Sequence, residues 1–110
     1  MRYPLSGDFE QLVLLAILRL EEDAYAVPIR REIERCGDRP VSRGALYTTL
    51  ERLEAKGLLR SALGDSLPER GGRARRCYTV TAAGLEALRN ARRTLERLWQ
   101  GLEALAEEGP

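Results

Sequence analysis

Histidine is absent from the 110 residues, and the only cysteines, Cys36 and Cys77, show no C-x-x-C spacing. A zinc site therefore lacks plausible ligands, and neither a metal nor another cofactor is expected. There is no glycine-rich phosphate loop ahead of a helix in a βαβ context, and no nucleophile beside a base. Acid–base and covalent catalysis thus lose their usual parts, and an enzyme is the least favoured reading. Long apolar runs are missing too. The N-terminus, MRYPLSGDFEQ, has no uninterrupted apolar core like that of a secretory signal, and no segment approaches the length needed to span a bilayer. A cytoplasmic protein with no membrane partner and two free thiols is the expectation. Lysine is reduced to Lys56, so arginine carries nearly all the positive charge.

The formal net charge of +1 does not advertise a nucleic-acid partner, but its distribution does. Residues 1–23 hold two basic groups against five acids, residues 24–80 twelve against seven, and residues 81–110 four against five. Positive charge is concentrated in the middle of the chain. The length suits one domain with a modest core, small enough that self-association would bury an extra face.

That middle contains SRGALYTTLERLEAKGLL, residues 42–59. Ser42 is a good N-cap, and Gly57 stands where a left-handed residue would end a helix. At about 100° per residue, Leu46, Leu50 and Leu53 share one face with Thr49 beside them, while Gly44, Tyr47, Thr48 and Glu51 point away. The free face begins with Arg43 and small residues, which suits a helix lying close in a major groove with arginine reaching a guanine edge. Ahead of it, Ser6 can cap a first helix over Gly7 to Leu20. That helix is apolar nearly all round through Phe9, Leu12, Val13, Leu15, Ala16, Ile17 and Leu20, so it is expected to be covered on two sides. A second helix follows over Tyr25 to Arg35, with Pro28 tolerated in its first turn. Gly37 to Pro40 then break the chain, completing a helix-turn-helix pattern.

Leu58 to Leu63 and Arg76 to Val80 read as strands of a β-hairpin whose loop is rich in glycine and arginine. Arg70, Arg73, Arg75 and Arg76 suit contact with phosphate or entry into a minor groove, so the hairpin reads as a wing. Thr81 can cap a last helix over Ala82 to Glu108, about 40 Å long at 1.5 Å per residue. Leu88, Leu95 and Leu102, with Ala91, Leu98 and Leu105, make an a/d seam of nearly three heptads, expected to pack on a second copy of the chain. The fold class expected is mainly α with a small β-hairpin: a winged helix-turn-helix over residues 1–80 and a long C-terminal dimerisation helix over residues 81–110, packed as one unit with the first helix.

Three stretches, LVLLAILRLEEDAYAVPIRREIE, SRGALYTTLERLEAKGLL and PERGGRARRCYTVTAAGLEAL, together make the chain resemble the PadR-like winged-helix transcriptional regulators over about residues 9 to 102. The single C-terminal helix resembles the smaller branch of that family. The resemblance implies a homodimer bound to double-stranded, pseudo-palindromic operator DNA, usually as a repressor, and often released by a small aromatic or hydrophobic effector. It also implies DNA-facing roles for Tyr25, Ser42, Arg43, Tyr47, Thr48, Arg73, Arg75 and Arg76, and dimerisation through the last helix, where the seam makes Leu88, Leu95, Leu98, Leu102 and Leu105 the expected contacts. Where the family commonly has Gly-Tyr-Glu, this chain has Ala26, Val27 and Pro28. Trp99 lies beside the expected subunit contact. It is read first as a packing anchor and second, with Phe9 and Leu12, as a wall for an effector. The competing function is a winged-helix protein-interaction module without DNA binding. Loss of the basic wing would favour that reading, and this chain keeps the wing.

Overall fold

The computed structural model describes residues 7–66 and 74–107. Their order is α1 (Asp8–Leu20), a single 3-10 turn (Glu21–Asp23), α2 (Ala26–Gly37), α3 (Arg43–Ala55), β1 (Leu59–Ser66), β2 (Ala74–Val80), α4 (Ala82–Trp99) and α5 (Glu103–Glu107). The expected class, mainly helical with one hairpin, is the one observed. Ser6, expected to cap α1, lies outside the described residues; the capping position itself is taken by Gly7, at φ 97°.

The core forms where α1, α2 and α3 converge on the start of the hairpin. Val13, Leu14 and Ile17 of α1, Ile29 and Ile33 of α2, and Leu46, Leu50 and Leu53 of α3 are all buried, with Leu58, Leu59 and Tyr78 closing the hairpin side. The spacing of three to four residues is the helical period, so each helix gives the core one stripe. Pro28 sits at the third helical position of α2, where an N–H would have no intrahelical partner. Asp38 rather than Gly37 takes the left-handed conformation that ends α2, at φ 53°. The turn into α3 is then held by Glu34, whose carboxylate accepts the Val41 N–H at 2.8 Å. On the outer side of α2, Glu32 joins it to α1, accepting from Arg19 and Arg35 at 2.6 Å each. Those hydrogen bonds, Arg35 first, hold the Glu32 carboxyl down to about 2.

Both expected end signals of α3 are present. Ser42 Oγ accepts the Ala45 N–H at 3.0 Å. At the other end Gly57, at φ 78°, lets Leu58 N–H reach the Leu53 carbonyl at 2.9 Å and its own N–H reach Glu54 at 3.0 Å, the Schellman arrangement. Glu10 is 1 % exposed, and Lys56 Nζ donates to both its oxygens at 3.0 Å. Arg52 stands 4.0 Å away. The lone lysine therefore ties the C-terminal end of α3 to the start of α1.

β1 and β2 are antiparallel, registered Leu59↔Val80 through Leu63↔Arg76, with an irregularity between Leu63 and Ser66. Both strands run further toward the tip than expected. A bridge from Tyr25 to Cys77 and a 2.9 Å bond from Tyr78 N–H to the Ala24 carbonyl attach the entry of α2 to β2 as a short third rung. Thr81 then caps α4, accepting the Gly84 N–H at 3.1 Å, while its hydroxyl donates to the Gly57 carbonyl at 2.7 Å.

The last helix differs from the expectation of one rod to Glu108. α4 ends at Trp99 after 18 residues, about 27 Å, and the chain bends through Gln100 and Gly101 before α5. Gly101 adopts φ 84°, and glycine is a poor helix former, so the period of leucines continues while the backbone does not. Leu88, expected in an intersubunit seam, is instead buried in the protomer's own core at 7 % exposure. It lies on the first half of α4, which packs back on α1 and the hairpin. Leu95, Leu98, Leu102 and Leu105 are exposed in the single chain.

Gly84 is buried against the carbonyl of Leu58, and a Cβ there would overlap that oxygen and press on Val80. Because the obstacle is backbone, it cannot yield as a flexible side chain would. Gly84→Ala is expected to destabilise the fold by about 3 kcal/mol, at the upper end of ordinary overpacking. Urea unfolding of the two proteins checks this; an unchanged midpoint would contradict the packing described.

Candidate nucleic-acid interface

With Leu46, Leu50 and Leu53 buried, the helical period leaves Arg43, Gly44, Tyr47 and Thr48 on the outer surface of α3, and all four are exposed. Ser42 is exposed as well, but its Oγ is engaged in the cap. Arg43 is the first helical residue, so its guanidinium stands at the positive end of the helix dipole, where a groove-entering helix meets bases or phosphates. Glu51, one turn past Tyr47, puts an acid at the far end of this surface. Lying under it, Tyr78 is buried, and its phenol is pushed upward, first by that burial and then by nearby Tyr47.

The hairpin lies beside α3, and its arginines are tethered. Arg76 Nη1 donates to Ser61 Oγ at 2.9 Å, and Ser61 Oγ donates to Glu54 at 2.8 Å, a relay from β2 across β1 to α3. Arg75 lays its guanidinium over the Tyr25 ring at 3.8 Å from the centroid, and its Nε is enclosed without a hydrogen-bond partner among the described residues. Gly64 faces this contact: a Cβ there would lie in ordinary contact with the Tyr25 hydroxyl at 3.5 Å and slightly tight against the Arg75 carbonyl oxygen at 3.3 Å. Tyr25 is thus a strut between α2 and the wing, with one ring face occupied. Arg70 and Arg73 lie outside the described residues.

Val27 enters the sequence reading with Ala26 and Pro28 as a departure from the family pattern, and Arg30 is not singled out there. Ala26, Val27 and Arg30 border a notch of about 30 Å³, closed on the other side by Arg43, Leu46 and Tyr47. It opens where the first turns of α2 and α3 approach each other. The 3.6-residue period set by Ile29 and Ile33 placed Ala26 and Arg30 one turn apart on a neighbouring face. Only the packing of α2 on α3 shows that this face meets Arg43.

A capped, half-exposed third helix, a preceding helix crossing behind it and a basic hairpin alongside form a winged helix-turn-helix. The family described as the Transcriptional regulator PadR-like family matches residues 14–90. The chain belongs to that family. It is 45 % identical over 78 residues to the Transcriptional regulator Rv3488 of Mycobacterium tuberculosis, spanning 71 % of this chain and 68 % of that protein. Among solved structures, a PadR family transcriptional regulator from Eggerthella lenta superposes with a TM-score of 0.67 at 30 % identity, over 90 % of this chain and 84 % of the other. A PadR-like transcriptional regulator from Bacillus cereus gives 0.71 at 25 % identity, over 92 % and 93 %. In this PadR-like chain the expected interface residues Ser42, Arg43, Tyr47 and Thr48 share one surface. Arg76 is tied to the C-terminal part of α3 through Ser61 and Glu54, and Arg75 packs on Tyr25 at the entry of α2. Among the described residues no helix is long and apolar enough to cross a membrane.

The Tyr25–Arg75 contact sets the stance of the wing. A cation–π contact of about 0.5 to 1 kcal/mol corresponds to a twofold to fivefold change in a local opening equilibrium. Tyr25→Leu is expected to speed amide exchange at Cys77 and Tyr78 by that factor, and Tyr25→Phe to leave it unchanged. Hydrogen-exchange NMR reads the result, and equal rates in all three proteins would remove Tyr25 as a strut.

Proposed function

We propose that this PadR-like regulator binds duplex DNA sequence-specifically as a homodimer and acts as a repressor on a pseudo-palindromic operator. The observation that carries the reading is the outer surface of α3. Arg43, Gly44, Tyr47 and Thr48 are exposed together on a helix whose opposite face is buried, and the wing's Arg76 is tied to that helix through Ser61 and Glu54. Small residues allow close approach to the groove, Arg43 supplies a fork of donors for a base edge, and the wing supplies guanidinium groups for phosphate. The two recognition helices of a dimer would enter major grooves about 34 Å apart.

The second subunit is supported by apolar surface that one chain leaves uncovered. Leu15 and Leu18 on α1, and Leu95, Leu98 and Trp99 on α4, are all exposed, Leu98 at 68 %. Leu102 and Leu105 extend that surface past the bend. Such a run of large apolar groups is characteristic of an interface. Phe9 and Leu12 are partly taken up by the protomer core. Trp99, 45 % exposed and doubled by the partner, is the place where a planar aromatic or hydrophobic effector would lodge and release DNA.

Arg43→Ala is expected to weaken selected operator DNA by about 1 to 3 kcal/mol and to relax base preference at one position per half-site. Competition against random duplex measures both, and equal losses on the two DNAs would make Arg43 a phosphate contact. Absence of salt-sensitive binding by the unaltered protein would refute the function.

Leu98→Asp is expected to reduce the sedimenting species to one chain and to lower operator affinity with it, since a charge in the apolar contact opposes association. An unaltered protein that sediments as a monomer at micromolar concentration would refute the dimer.

A further inference from the structure

The notch between α2 and α3 matches one edge of one base. We infer that it reads thymine, taking the C5 methyl into the notch and the adjacent O4 against Arg30, with Val27 as the residue that sets the preference. The inference rests on the DNA-binding reading above.

In the major groove, thymine alone presents a methyl group beside an acceptor oxygen. The notch has the complementary parts. Its floor is Leu46, 1 % exposed, and its sides are Ala26, Val27 and the Tyr47 ring. Its space of about 30 Å³ is large enough to admit a methyl group, and its mostly carbon lining offers few partners to a water, which needs two or more. Val27 at 43 % and Tyr47 at 40 % exposure leave the mouth open on the surface that α3 presents. Arg30 lines the same notch, and its Nε is enclosed with no hydrogen-bond partner among the described residues. Besides the enclosed Nε the Arg30 guanidinium carries further N–H donors, and O4 is an acceptor that arrives with the methyl. Arg43 at the rim and the first-turn amides of both helices make the mouth electropositive, so it faces polyanionic DNA with complementary charge.

Position in the fold also favours this occupant. Val27 follows the N-terminal residue of α2, and Arg43 is the N-terminal residue of α3. A helix lying in the major groove brings its first turn to the base edges, so the notch travels into the groove with Arg43. A guanine edge, with two acceptors and no methyl, would leave the apolar pocket unfilled. Cytosine would set an N4 donor against the Arg30 guanidinium.

The test uses the full chain and the tightest duplex selected from a random pool, with each thymine replaced in turn by deoxyuridine, which keeps O4 and removes the methyl. One thymine in each half-site is expected to lose about fourfold to tenfold in affinity, the range for burial of a single methyl group. Val27→Ala should bind the thymine and deoxyuridine duplexes alike at that position. Arg30→Met should keep the methyl preference there but lose discrimination against 5-methylcytosine. Sequence-specific binding that is indifferent to deoxyuridine at every thymine, or a Val27→Ala protein that retains the preference, would overturn the inference. No binding of the unmodified duplex by the unaltered protein would overturn the DNA-binding reading itself, and that control separates the two failures.

Discussion

The corner at Gly57 and Leu58 is the constraint on which the rest of the structure depends. There the Schellman turn closes α3, β1 begins, the Leu58 carbonyl accepts the Thr81 N–H at 3.1 Å, and the Gly57 carbonyl accepts the Thr81 hydroxyl. One corner thus fixes the end of α3, the root of the hairpin and the cap of α4. Gly57 is needed for its positive φ, and Gly84 for the close approach of α4 to Leu58. Through this corner the angle between α3 and the hairpin is set by short backbone hydrogen bonds, which tolerate little displacement.

The far ends of α3 are secured by different physics. Near its C-terminus a buried carboxylate, Glu10, draws Lys56 and Arg52 down onto α1. Near its N-terminus, Glu34 on α2 holds the preceding turn through the Val41 amide. Breaking a buried ion pair leaves an uncompensated charge, so the Glu10–Lys56 contact favours one placement of α3 over a shifted one. Several charges in this nearly neutral chain are thereby spent on alignment. Arg43, at the first position of α3, stays exposed, and Arg75 and Arg76 stand on the wing. The last two are themselves held, by Tyr25 and by the Ser61–Glu54 relay, so the wing presents them in a defined place rather than on free stems.

The apolar surfaces divide along the same lines. The first half of α4 belongs to the protomer, since Gly84 and Leu88 are buried against the hairpin and α1. The second half, from Leu95 onward, is exposed and continues past a bend at Gly101. A bend rather than a straight rod means that Leu102 and Leu105 approach any partner from a direction different from that of Leu95 and Leu98. A simple two-stranded coiled coil, which needs an unbroken helix, is therefore not the geometry this chain offers.

By itself the sequence determined the local features, because their causes are local. The Ser42 cap, the Gly57 stop, the Thr81 cap and the core stripe Leu46, Leu50 and Leu53 follow from φ preferences, side-chain acceptors and a 3.6-residue period. Each was legible in the residues, as was the family from the order of three motifs. Strand existence was legible too, though both strands extend nearer the tip than β-branched residues alone would suggest. Tertiary structure decided everything that depends on which surfaces meet. A leucine repeat could not reveal that Leu88 turns inward, nor that Gln100 and Gly101 interrupt the helix, because heptad spacing persists across a bend. Glu10 and Lys56 are 46 positions apart, and their pairing, like the stacking of Arg75 on Tyr25 and the notch of Val27, Arg30 and Arg43, exists only once the helices are packed. Long-range contacts between side chains carry no periodic signature in the chain, and for that reason only the folded arrangement displays them.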